Sequence, residues 1–98
     1  MRAATMLAMV TTMSDIITPT VHLNGTSRQD LLDGYCEAIH ALHQAGIKLA
    51  AAYPNGRDYY VQGSDAINKA MDQHEARMNK LREVINELEH IAEAIQHD

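Results

Sequence analysis

The sequence predicts an all-α fold: an antiparallel two-helix hairpin with a coiled-coil-like seam and an extended N-terminal arm, oligomerising into a helical bundle. Three observations lead there. First, Leu32, Tyr35, Ile39, Leu42, Gly46, Leu49 and Tyr53 recur at alternating steps of three and four, and Ile67, Met71, His74, Met78, Leu81, Ile85, Leu88, Ala92 and Ile95 do the same. That alternation keeps one face of each helix against a partner. Second, the stripes are separated by Tyr53-Pro54-Asn55-Gly56-Arg57-Asp58-Tyr59-Tyr60-Val61-Gln62-Gly63-Ser64, whose Pro and Gly residues interrupt a helix. Third, Leu31, Ala38, Ala45 and Ala52 flank the first stripe, and Ala70, Val84 and Ile91 the second. Two helices cannot cover an apolar stripe that wide, whereas two hairpins packed as a four-helix bundle can.

The N-terminal residues MRAATMLAMVTT lack the long apolar region and cleavage site of a secretory signal, and they are too short to cross a bilayer. Residues 1–13 are expected to be an unstructured extension, with Met13 the natural start and 14–98 a single domain. Ser14 to Leu23 should be extended: Pro19 has no donor and biases Thr18 away from helix, while Ile16, Ile17, Val21 and Leu23 suit a chain lying along a surface. Asn24-Gly25 suggests a turn with positive φ, and Thr26-x-x-Gln29 has capping-box spacing. The first helix is then expected from about Arg28 to Tyr53, ended by Pro54. The second should start after Ser64 as N-cap and run to about Gln96 with no Pro or Gly inside.

Antiparallel pairing of the stripes, with residue numbers at each level summing to about 120, sets Tyr53 against Ile67, Leu49 against Met71, Gly46 against His74 and Leu42 against Met78. A residue without a side chain opposite an imidazole balances volume at that level. His74, the polar member of the second seam, reads first as a register-setting core residue. Its functional alternative is a ligand contact in a pocket opened by Gly46, with His43 beside it.

Composition excludes several functions. A net charge of −5 argues against binding to a nucleic-acid duplex, which needs a basic face. The single cysteine, Cys36, cannot form an internal disulfide and fits a reducing compartment. Glu37-x-x-His40 and Glu87-x-x-His90 have the spacing of di-iron bundles. In this register, however, they lie on outward faces at different levels, so no metal or other cofactor is expected. No phosphate loop, nucleophile elbow or catalytic triad order is present, and the chain reads as non-enzymatic.

The connection is longer than a turn requires. It offers Arg57 as a planar donor, Asp58 as an acceptor, and Tyr59 and Tyr60 as stacking faces. The bland alternative is that both tyrosines plug the bundle end while Arg57 pairs with Asp58. Residues 44–82 hold six cations against four anions, a balance of +2 that leaves −7 elsewhere, so an anion would be drawn to this half. The candidate ligand-binding residues are Arg57 for phosphate, Tyr59 or Tyr60 for a planar base, and Asn55, His22, Asn24, His74 and Arg77 in support.

The segments His22-Leu23-Asn24-Gly25-Thr26-Ser27, Pro54-Asn55-Gly56-Arg57-Asp58-Tyr59-Tyr60 and His74-Glu75-Ala76-Arg77 resemble those of a family of small phage and prophage proteins. The similarity spans about residues 18–95. It implies a phage accessory protein and carries no settled activity. Small oligomeric helical phage proteins include sponges that sequester nucleotide signals, an analogy of size and class. ESAT-6-like hairpins match in length, but the Trp-x-Gly of their turn is missing. The expected function is sequestration of a small anionic, nucleotide-like ligand at the hinge end of a homo-oligomer. The alternative is an assembly module acting through its helix faces.

Overall fold

Two long helices dominate the computed structural model, which describes residues 15–97. Helix α1 spans Arg28–Ala51 and helix α2 Ala66–Gln96, with two 3₁₀ turns, Gly56–Asp58 and Tyr60–Gln62, between them. At 1.5 Å per residue the helices are about 36 and 47 Å long. They pack on each other as a hairpin, and no strand occurs among the described residues. The expected extension over residues 1–13 lies outside the described residues. Residues 16–22 form neither helix nor strand; Ile16 and Val21 are half-buried, whereas Ile17 and Leu23 are almost fully exposed.

The α1 start is capped one residue later than the Thr26 spacing suggested. Ser27 is the N-cap, and its Oγ accepts from the Asp30 N–H at 3.1 Å, a bond that satisfies one of the helix's orphan donors. Gln29, expected to reach back to the cap, instead donates Nε2–H to Asp33 Oδ1 at 2.7 Å. The preceding turn closes through the Gly25 N–H to the His22 carbonyl at 3.1 Å. Neither Asn24 nor Gly25 has positive φ. A Cβ on Gly25 would stand 2.8 Å from Nε2 of the exposed His22 ring, which would have to swing aside.

The other end of α1 stops at Ala51, two residues before the expected Tyr53. The Ala52 and Tyr53 N–H groups donate to Leu49 and Ala50, tightening the last turn. Tyr53 precedes a proline, which disfavours helical geometry for it. At α2, Asp65 rather than Ser64 takes the cap position, already helical in backbone and without a side-chain cap bond.

All sixteen predicted seam positions except Tyr53 are buried or half-buried, but the register differs from the expected one. A Cβ on Gly46 would meet Leu81 Cδ2 at 3.5 Å, and Tyr53 meets His74. Gly46 therefore does not face His74; on α2 the partner lies seven residues further on. A shift of one heptad superposes a three-four stripe on itself, so both registers match equally well along the seam. The first two turns of α2 consequently project past the end of α1. The connection climbs alongside them, with Gly56 reaching Ile67 and the second 3₁₀ turn packing on α2.

Gly63 ends that second turn at φ 119°, ψ 161°. This region is essentially closed to residues with a Cβ. Gly63→Ala is expected to cost about 1–3 kcal/mol through backbone strain alone, since nothing lies within 4 Å of the added methyl. Chemical denaturation reads this out; an unchanged midpoint would show that the connection relaxes freely.

The core is sparse. Among the described residues only His74, Ile85 and Ile95 are buried, all on α2, and α1 buries no side chain completely. No described helix is long and apolar enough to cross a membrane.

Candidate functional site at the hinge end

Within the connection, Asn55 caps the first 3₁₀ turn: its Oδ1 accepts from the Arg57 N–H at 3.0 Å. This asparagine turn fixes the backbone of Arg57, whose side chain is exposed. The Arg57 guanidinium has no hydrogen-bond or ion-pair partner among the described residues; the pairing with Asp58 considered from sequence does not form. Tyr59 is half-buried, whereas Tyr60 is 71% exposed, so Tyr60 does not plug the bundle end. The result is a short, capped turn that presents one free guanidinium and one open aromatic ring on the same segment.

Beneath the connection, His74 is only 4% exposed. Tyr53 packs on it in a T-shaped contact, ring centroids 5.2 Å apart and planes at 74°. Its Nε2 is buried without a hydrogen-bond partner among the described residues. A buried polar atom left unpaired costs about 1–3 kcal/mol, whereas an aromatic edge contact returns about 0.5–1.5. His74→Leu is therefore expected to raise the melting temperature by a few degrees, with an unchanged circular-dichroism spectrum. A lowered melting temperature would mean that the imidazole makes a bond essential to the core.

The eight candidate residues separate into groups. Asn55, Arg57, Tyr59 and Tyr60 share the connection; His74 and exposed Arg77 follow on α2. His22 and Asn24 precede α1, and the 24 residues of that helix place them roughly 35 Å from the hinge within one chain. The expected pocket joining Gly46, His43 and His74 is also corrected. Gly46 and His43 do line an open groove of about 480 Å³, but Met78, Leu81, Arg82 and Glu89 form its far wall, and His74 is elsewhere. Sequence reasoning missed Tyr53 as the partner of His74 and Arg82 as a groove residue, because both follow from the register. The same shift brings Glu37-x-x-His40 level with Glu87-x-x-His90, overturning the expectation that they are offset. Glu37 and His40 are exposed, and no cluster of three or more His, Cys, Asp or Glu able to hold a metal occurs among the described residues.

No family model, curated protein or solved structure matches the chain.

Proposed function

We propose that this chain is a non-enzymatic phage or prophage accessory protein of the bacterial cytoplasm that sequesters a small anionic, nucleotide-like ligand at the hinge end of a helical homo-oligomer. The observation that carries this reading is the Arg57 guanidinium, unpartnered among the described residues and held on a capped turn two and three residues from Tyr59 and Tyr60. A planar fork donor suits a phosphate, and an exposed phenol ring suits the face of a base. The local excess of cations favours approach of an anion. An exposed, unpaired Cys36 fits a reducing compartment.

Native mass spectrometry of the freshly purified protein, followed by thermal shift against cyclic and linear nucleotides, tests the proposal. A co-purified phosphate ester, or a saturable shift with one nucleotide class, supports it. A clean apo mass and no shift from any nucleotide would refute it. A second reading has its own observation: α1 leaves all its side chains at least partly open to solvent, as expected of an assembly module that works through helix faces.

A further inference from the structure

We infer that a second copy of this chain lies antiparallel along α1, setting its His22–Gly25 turn beside the hinge, so that two chains complete the candidate site. The inference rests on the reading of the hinge as a ligand site, but the pairing itself is testable without a ligand. Three observations support it.

The first is burial: among the described residues, α1 covers no side chain completely against its own hairpin.

The second is the face left open. Leu31, Ala38, Ala45 and Ala52 repeat every seven residues beside the seam, half-buried or exposed. Gly34 lies in the same band, and a Cβ added there would meet nothing within 4 Å. The hairpin gives no packing reason for glycine in mid-helix, where it is unfavourable; a second helix approaching closely does.

The third is charge, which selects the orientation. Asp30, Asp33 and Glu37 lie in the first half of α1 and Lys48 in the second. Parallel copies would stack the carboxylates on one another. Antiparallel copies centred near Ala41 set each Lys48 across from the other chain's Asp33 and Glu37, and Leu31 across from Ala52. Such rim charges fix orientation more than they add affinity. In this arrangement the turn before one α1 is level with the connection after the other. His22 and Asn24, remote from Arg57 in their own chain, then stand beside Asn55, Arg57 and Tyr59 of the second.

Cross-linking decides the matter. In a Cys36→Ser background, Thr26→Cys and Asp58→Cys, both at exposed positions, are made as separate proteins, refolded together and treated with a short bifunctional maleimide. Linked dimers are expected from the mixture and not from either protein alone, since the two Thr26 positions of an antiparallel pair are ~45 Å apart. Lys48→Glu should weaken self-association about tenfold by light scattering, and adding Glu37→Lys should restore it. Linked dimers of Thr26→Cys alone, an unlinked mixture, or no rescue by the charge swap would each overturn the pairing. The two failures are separable: cross-linking without nucleotide binding removes the ligand reading alone, and binding without cross-linking means that one chain makes the site.

Discussion

Ile95→Ala is expected to lower stability by about 2–5 kcal/mol, the range for deleting a fully buried aliphatic side chain together with the cavity left behind. Ile95 is the one large side chain with no exposed surface, 0% among the described residues. It sits in the last turn of α2, where helices ordinarily fray. Two features hold that turn: the covered side chain, and Arg28, whose Nε–H donates to the Ile95 carbonyl at 3.2 Å across the hairpin. Arg28 opens α1 and Ile95 nearly closes α2, so this contact joins the hairpin at the end opposite the connection. For a domain of this size each kcal/mol moves the melting temperature by about 4–8 °C, so a fall of about 10 °C or more is expected. Ile95→Val should cost only about 0.5–1.5 kcal/mol. Ile17→Ala, at a site 91% exposed, should change little. Thermal melts of the three variants rank the positions; equal melts for Ile95→Ala and Ile17→Ala would show that the open end of the hairpin contributes nothing to stability.

The largest functional effect is expected at Arg57. Its side chain is exposed and has no ion-pair or hydrogen-bond partner among the described residues, so Arg57→Ala should leave the melting temperature and the helical content unchanged. If the guanidinium grips a phosphate, the same change removes charge-assisted hydrogen bonds worth about 1.5–3 kcal/mol, a loss of more than about tenfold in affinity. Arg57→Lys should fail nearly as badly for a bidentate contact, because an ammonium lacks the planar fork. Tyr60→Ala is the companion variant. Its exposed ring makes it neutral for stability and costly for binding if a base stacks there, by about 1–3 kcal/mol. Isothermal titration with the nucleotide that shifts the wild type measures all three. Binding that survives Arg57→Ala would move the site away from the connection, and a large fall in melting temperature for Tyr60→Ala would return that residue to a packing role.

The sequence by itself determined the helices and their contact faces. The three-four spacing from Leu32 to Leu49 and from Ile67 to Ile95 is a property of the α-helix, so it could be read without any tertiary information, and those positions are the ones that lose solvent. Pro54 likewise acts through its own backbone chemistry, which placed the C-terminal end of α1 to within two residues, whereas the N-cap fell on Ser27 and not on the expected Thr26. Only the tertiary structure decided the register, the neighbour of His74 and the composition of the hinge. A heptad pattern is unchanged by a seven-residue slide, so Gly46 against His74 and Gly46 against Leu81 satisfy it equally. What separates them is the path of residues 52–65, where two 3₁₀ turns carry the chain up beside the first turns of α2 before it enters that helix. That path sets Tyr53 on His74 and leaves Arg57 without a partner among the described residues. It also keeps His22 and Asn24 a full helix length away, because the order of residues along a chain does not say which end of a helix pair they will meet.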